Sequence, residues 1–409
     1  MKKFNLPDYY QSNIINQIRQ TREKHDPRKK DINPSRIKLG NTEFYIGRHF
    51  GFCYGVKNAI EICYEAIEKN PNKKIYLLSQ MIHNQVVNQD LSENGISFIM
   101  DTEGQLLIDW DDINQNDIVI IPAFGTSLEV LKILEQKKIN TEQYNTTCPF
   151  VSKVWNRSYD IAQKGYTIII HGKFNHEETR STFSRTKKYG HSLIVENIKD
   201  VKNLCLFIKN KRDPDLFKKD FKDKFSFGFS YKNHLKKIGV VNQTTMLASE
   251  TKEIIDILTE TYKEKYGSEN INKHIANTRD TLCYATNENQ ESTIKLLEQK
   301  GDIAIVIGGY NSSNTNHLAE LSQKKIKTFF INSSKKIFLN NSIKHFEIKN
   351  QREILTKNFL PNKKNTILLI SGASCPDSVM EDIILKIISI NSNKVEIQKA
   401  INDFKIEYI

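Results

Sequence analysis

The sequence contains no Cys-x-x-Cys pair and no cysteine–histidine spacing of the zinc-finger type, so no short segment can close a metal site by itself. It has no apolar run long enough to span a bilayer; the longest, IVII, TIII, IAIVI and ILLI, are strand-sized, and no membrane association is expected. The opening MKKFNLPDYYQSN lacks an apolar h-region, so no secretory signal is expected and the chain reads as soluble and intracellular, cytoplasmic or, if organellar, stromal. No RNP-type aromatic motif or helix-turn-helix pattern stands out. The net charge of +12 comes from lysines dispersed through stretches such as NPNKK, QKKIKTFF and PNKKNT, not from a patch. A nucleic-acid partner is therefore not expected.

What is present is an ordinary globular balance, 38% apolar and 26% charged over 409 residues, enough for two or three domain-sized units. Six cysteines are scattered at positions 53, 63, 148, 205, 283 and 375. In a reducing compartment that scatter favours metal, cluster or catalytic use over disulfides. Three of them occupy equivalent places. Cys53, Cys148 and Cys283 each open a plausible amphipathic helix, and each helix is followed by a short apolar strand and a polar loop: IYLLSQMIHN, TIIIHGKFNHEE and AIVIGGYNSSN. The separations are similar, 30 residues from Cys53 to His83, 28 from Cys148 to His176 and 29 from Cys283 to Ser312. A second helix and strand then lead to a second small-residue loop in IVIIPAFGTS, IGVVNQTTM and ILLISGASCPD.

Strands alternating with helices predict α/β lobes with largely parallel sheets, whose carboxyl-end loops are the usual ligand sites. The expected division is a polar N-terminal extension at 1–43, lobes at 44–147, 148–278 and 279–395, and a tail at 396–409. A charged insertion at about 185–236 falls in the second lobe. Both the extension and the insertion are expected to be solvated or partly helical. Three lobes about a pseudo-threefold axis would bring Cys53, Cys148 and Cys283 to one metal centre ringed by six loops.

A cysteine at a helix start feels the positive end of the helix dipole, which favours the thiolate that a soft metal requires. Three thiolates suit zinc with a fourth ligand, or an iron–sulfur cluster with one iron left open to a substrate oxygen. Asn311-Ser312-Ser313-Asn314 and Gly372-Ala373-Ser374 lie at strand-to-helix turns of the kind that bind phosphate groups. His83 and His176 would add imidazole donors, and Glu178, beside His176, would donate or relay a proton. Cys63 and Cys205 read as core, and His171 as a hydrogen-bonded strand-end residue. Cys375 reads as packing, with a fourth-ligand role as the alternative.

At these residues the chain resembles the 4-hydroxy-3-methylbut-2-enyl diphosphate reductase family of the methylerythritol phosphate route to isoprenoids. The matching segments are GFCYGVKNAI, IHNQVVN, TTCPFVSKVW, HEETRST, NQTTM, LCYATNENQ, NSSNTNHLAEL and SGASCPD, in family order from about 44 to 390. The resemblance implies a trefoil of three α/β lobes around a [4Fe–4S] cluster held by Cys53, Cys148 and Cys283, with one open iron. It implies that His83, His176, Ser312, Ser313, Asn314 and Ser374 hold the diphosphate. Glu178, aided by Thr244, would deliver protons, with Thr286 and Asn311 in support. The reaction implied is a two-electron, two-proton dehydroxylation to isopentenyl and dimethylallyl diphosphates, with electrons from a ferredoxin, a flavodoxin or a reductase system. Short family members carry a histidine where PAFGTS has Phe124; the length and the PAFG pattern resemble a longer branch that also lacks it. The rival readings are a non-enzymatic iron–sulfur carrier or sensor with Cys375 as fourth ligand, a zinc hydrolase and an RNA-binding module.

Overall fold

The run IAIVI is buried at every position because its strand, Ile303–Ile307, lies inside a parallel sheet covered on both faces. The structure, a computed structural model, describes residues 4–277, 281–391 and 396–407. The chain forms two compact units, one of Met1–Lys57, Ile82–Gln89 and Tyr284–Ile409, the other of Asn58–Met81 and Asp90–Cys283.

In the first unit a five-stranded sheet runs in the order Ser35–Leu39, Thr42–Ile46, Asn365–Ser371, Ile303–Ile307, Thr328–Ile331. The first two strands form an antiparallel hairpin, and the remaining pairs are parallel. Alternation divides the buried residues between two layers. Ile303, Ile305, Ile307, Ile367 and Leu369 pack with the helices Asn13–His25, Asp377–Asn391 and Ile397–Ile406. Ala304, Val306, Leu368 and Ile370 pack with Leu296 at the end of the helix Tyr284–Leu296 and with Leu318 and Ala319 in the middle of Ser313–Gln323. A separate antiparallel sheet is made by Ile337–Phe338, Ser342–Glu347 and Arg352–Lys357.

The extension expected at 1–43 is instead part of this core. Ile15 and Ile18 are fully buried, and the strand Ser35–Leu39 adds Ile37 and Leu39 to the same layer. The helix Asn13–His25 is polar on average because Asn13, Gln20, Lys24 and His25 lie outward, while Ile14, Ile15, Ile18 and the buried Arg22 fall on the inner face. Ser12 starts it, its hydroxyl accepting the Ile15 N–H at 2.9 Å. Ile18→Ala is expected to destabilise the chain by about 2–5 kcal/mol, the range for a buried large-to-small change. A denaturation midpoint indistinguishable from the parent would show that this helix does not support the sheet.

The second unit holds two three-stranded parallel sheets, in the orders Ile96–Phe98, Ile75–Leu77, Ile118–Ile120 and Ser192–Val195, Thr167–His171, Ile238–Asn242. The charged stretch at 185–236 supplies the edge strand Ser192–Val195 and the helix Ile198–Ile208. That helix buries Val201, Leu204 and Phe207, and Phe217 and Phe221 pack against the Phe207 ring. Its charges occupy outward positions between these apolar ones. Among the described residues no helix is long and apolar enough to cross a membrane.

Three sheets, two parallel and one mixed, thus recur, and the carboxyl ends of six of their parallel strands lead to the six loops expected from sequence. Ile75–Leu77 and Ile118–Ile120 lead towards His83 and Phe124. Thr167–His171 and Ile238–Asn242 lead to His176 and Thr244. Ile303–Ile307 and Asn365–Ser371 lead to Asn311 and Ser374.

Candidate active site

Three loops of the first unit meet. The His83 ring, 6% exposed, donates from Nδ1 to the Asn311 carbonyl at 2.8 Å, a direction set by the carbonyl, which only accepts. Asn84 donates from Nδ2 to the Ser374 carbonyl at 2.8 Å, joining the same loop to the third. Two glycines allow this approach: a Cβ on Gly309 would overlap the His83 carbonyl oxygen, and one on Gly372 the Thr315 hydroxyl. Ser312 caps the helix Ser313–Gln323, its hydroxyl accepting the Thr315 N–H at 3.3 Å.

The polar atoms gathered here are under-used. Ser313 Oγ, both side-chain polar atoms of Asn314 and Ser374 Oγ are buried without a hydrogen-bond partner among the described residues. Each such atom costs about 1–3 kcal/mol if left unpaired. Hydroxyls and an amide at a helix N-terminus are the donors a phosphate oxygen takes, so the cradle fits an anion.

The second unit pairs Glu178 with Thr244. Glu178, 1% exposed, accepts from the Thr244 N–H at 2.6 Å through Oε1 and from the Thr244 hydroxyl at 2.8 Å through Oε2. His176 caps the helix Glu177–Tyr189 by accepting the Glu178 N–H at its Nδ1, 3.1 Å away, so the ring proton sits on Nε2. Phe124 packs edge-on to the His176 ring at 5.3 Å, and its carbonyl accepts the Ser181 hydroxyl at 3.0 Å. Phe124 therefore places an apolar wall against His176.

Each of the three candidate cysteines is partly buried and stands immediately before a helix, Tyr54–Lys69, Pro149–Gln163 or Tyr284–Leu296. Their backbones are tied to the second loops described above. The Cys53 N–H donates to the Ala373 carbonyl (3.0 Å), Cys148 to Ala123 (2.9 Å) and Cys283 to Thr244 (3.2 Å). The same bond recurs three times in three repeats. Burial pushes the Cys53 thiol up, while the N–H groups of Val56 and Gly55 at the helix start pull it down. Cys53 belongs to the first unit, and Cys148 and Cys283 to the second. Among the described residues no three His, Cys, Asp or Glu side chains are gathered closely enough for one metal ion. As a donor type, thiols at helix starts have the soft-ligand chemistry that iron–sulfur groups take.

Cys63 and Cys205 are buried, Cys205 in the core of the second unit, as expected. Cys375 is fully buried in the core of the first unit, and burial pushes its thiol up to about 12. That is a packing environment and not a thiolate site. His171 is fully buried at its strand end, with Nδ1 3.0 Å from the Thr251 hydroxyl. Thr286 is buried within its helix.

Sequence reasoning missed Asn84, the Ser79–Glu177 hydrogen bond (2.7 Å) and the reciprocal Asn242–Thr281 pair, in which each backbone N–H meets the other's side chain at 2.8 and 3.0 Å. It also missed Asn289, 4% exposed, whose Nδ2 is another buried atom without a partner. Only Asn84 carried a local signal, an Asn placed to cap the helix Gln85–Glu93, where its Oδ1 accepts the Val86 N–H at 3.0 Å.

The family model described as LytB protein matches residues 45–388. A 4-hydroxy-3-methylbut-2-enyl diphosphate reductase of Gloeothece citriformis is 38% identical over 384 residues, covering 94% of this chain and 90% of the relative. That of Crocosphaera subtropica is 39% identical, covering 92% and 89%. The solved structure of the E-1-hydroxy-2-methyl-but-2-enyl-4-diphosphate reductase from Plasmodium falciparum aligns with a TM-score of 0.62 at 24% identity, over 92% of this chain and 100% of that one, a likeness of fold. On the strength of the matched span and the sequence identities, the chain belongs to the LytB family of 4-hydroxy-3-methylbut-2-enyl diphosphate reductases.

Proposed function

We infer that the chain is an oxidoreductase that removes the hydroxyl of 4-hydroxy-3-methylbut-2-enyl diphosphate, yielding isopentenyl and dimethylallyl diphosphates at the end of the non-mevalonate route. The observation that carries this reading is the cradle of buried, unpartnered donors at Ser313, Asn314 and Ser374 in a chain of this family. The balance is one C–O bond broken, two electrons and two protons taken up and one water released. Iron–sulfur chemistry supplies the electrons: a [4Fe–4S] cluster held by Cys53, Cys148 and Cys283 would, when bound, offer one open iron as a Lewis acid and electron source.

The remaining work falls to side chains. His83, His176, Ser312, Ser313, Asn314 and Ser374 hold the diphosphate, with the N-terminus of Ser313–Gln323 adding its dipole. Asn311 fixes the His83 ring, and Asn84 fixes the Ser374 loop. Glu178 moves a proton to the departing hydroxyl oxygen. Thr244 holds both carboxylate oxygens from one side and so sets the plane in which that proton travels. The division into lobes at 44–147, 148–278 and 279–395 belongs to the same proposal, as do a ferredoxin or flavodoxin electron donor and a cytoplasmic location.

The test is anaerobic turnover: oxidation of a reduced viologen dye that depends on the hydroxymethylbutenyl diphosphate, with both products identified. Substrate-independent oxidation, or none from protein shown to carry its cluster, would turn the reading towards a simple electron carrier. A narrower expectation concerns the cradle. Ser313→Ala with Asn314→Ala removes two hydrogen bonds to a charged ligand, each about 1.5–3 kcal/mol, so KM should rise on the order of 10²-fold or more. Without substrate the same variant should be no less stable than the parent, because the lost atoms have no partner to lose. A fall in stability with unchanged KM would assign these residues to the fold alone.

A further inference from the structure

The helix Ser313–Gln323 satisfies its polar side chains on some faces and not on another. The Thr315 hydroxyl donates to Ser312 Oγ at 3.0 Å, and the Ser322 hydroxyl to the Leu318 carbonyl at 2.8 Å. The Asn316 amide donates to the Tyr310 and Ser312 carbonyls at 2.7 and 2.8 Å. Leu318 and Ala319 pack against the sheet. Ser313 and Asn314 have buried atoms without partners, and so does His317, which is 5% exposed and whose Nε2 is buried with no hydrogen-bond partner among the described residues. Spacings of three and four residues put His317 on the same helix face as Asn314 and Ser313, with Cβ atoms about 5–6 Å apart. The other ring nitrogen fixes the direction. Nδ1 lies 3.0 Å from Glu320 Oε2, one turn towards the C-terminus, and a carboxylate only accepts, so Nδ1 carries a proton. Helix side chains lean back over the preceding turn, here that of Ser313 and Asn314, and Nε2 is the nitrogen left to face it. Buried polar atoms left unpaired together on one face imply a polar ligand that meets them together.

We propose that His317 is a further diphosphate-binding residue, donating from Nε2 to a phosphate oxygen beside Ser313 and Asn314. The role rests on the reading of that cradle as the diphosphate site. A phosphate oxygen accepts, as the Glu320 carboxylate does, so a ring that meets both carries a proton on each nitrogen. The second proton is taken up from solvent as the anion binds, and the imidazolium keeps Glu320 as its counter-charge. This gives the cradle a charge-assisted hydrogen bond, which its hydroxyls and neutral amide do not supply from their own side. The histidine therefore serves affinity for the charged end of the substrate and takes no part in breaking the C–O bond.

The experiment is calorimetric titration of inorganic diphosphate into the anaerobically prepared full chain, parent against His317→Asn and His317→Gln, with the melting temperature of each free protein. The shorter amide of His317→Asn reaches the place of Nδ1, keeping the Glu320 contact and dropping the donor at Nε2. The longer amide of His317→Gln reaches the place of Nε2 and gives up Glu320. His317→Asn should raise Kd by about ten- to a hundredfold, the loss of one hydrogen bond to a charged ligand, and His317→Gln should bind at least threefold more tightly than His317→Asn. A histidine kept only for its Glu320 contact gives the reverse order, or a lower melting temperature with Kd in place, and either result overturns the proposal. So does a His317→Asn value within threefold of the parent. Should His317→Asn not fold, His317→Gln decides alone: a Kd within tenfold of the parent supports the proposal, and a larger loss overturns it. Ser313→Ala, titrated alongside, separates the two readings. Weakened binding there with an unchanged Kd in His317→Asn leaves the cradle standing and removes His317 from it, whereas parent protein that binds no diphosphate removes the cradle and His317 together.

Discussion

Glu178→Gln is expected to keep its fold and its cluster and to lose turnover by about 10²–10⁴, the range for removing a positioned proton donor. The substitution is nearly isosteric, and the Thr244 contacts survive it. The introduced amide oxygen can still accept the Thr244 N–H, and its NH2 can donate to the Thr244 hydroxyl, which reverses its role. What is lost is the capacity to hold and release a proton at that oxygen. Because the residues proposed to hold the diphosphate are other ones, KM should change far less than kcat. Single-turnover rates measured with substrate on pre-reduced enzyme would isolate the step. A rate within threefold of the parent would remove Glu178 from the proton path and shift attention to its neighbour Glu177, hydrogen-bonded to Ser79.

The parts of the site that lie on chain-local patterns were legible in the sequence. A strand such as IAIVI followed by Gly-Gly and a polar NSSN turn announces both the buried parallel strand and the loop at its carboxyl end, because both follow from local burial and turn chemistry. The helix starts at Cys53, Cys148 and Cys283 were visible for the same reason. Ile14, Ile15 and Ile18 were hidden by their own helix, whose sequence is so rich in Gln, Arg, Lys and Glu that the segment reads as solvated, although Arg22 is itself buried. Their role depends on a sheet completed by Asn365–Ser371, some 350 residues later. The strand Ser192–Val195 was lost in the same way inside a lysine-rich stretch, although SLIV by itself is a strand signal. The Asn242–Thr281 pair and the orphaned amide of Asn289 had no signal at all. A side chain's missing partner is a tertiary property, and asparagine alone is as ready to be a turn, a cap or a surface residue.

Cys148→Ser is the change with the largest expected consequence: loss of the iron–sulfur absorbance and turnover below detection in a chain that still folds. Serine matches the thiol in shape and can occupy the same position before Pro149–Gln163, with the same backbone bond to Ala123. The hydroxyl is a hard oxygen that stays protonated near neutral pH, so it cannot replace the soft thiolate that iron–sulfur groups take. Cys53→Ser and Cys283→Ser should behave alike, because all three cysteines are partly buried and make equivalent backbone bonds. Cys375→Ala supplies the contrast. Its thiol packs in the core of the first unit with its proton held on, so that variant should keep its iron at a modest cost in stability. Iron and sulfide analysis of the four anaerobically prepared variants separates the readings. Three empty proteins and one loaded one mean a cluster with an iron open to substrate, and four empty but folded proteins mean a closed cluster and an electron carrier. A loaded Cys148→Ser protein would strike Cys148 from the ligand set, since nothing else in its loop offers a thiolate.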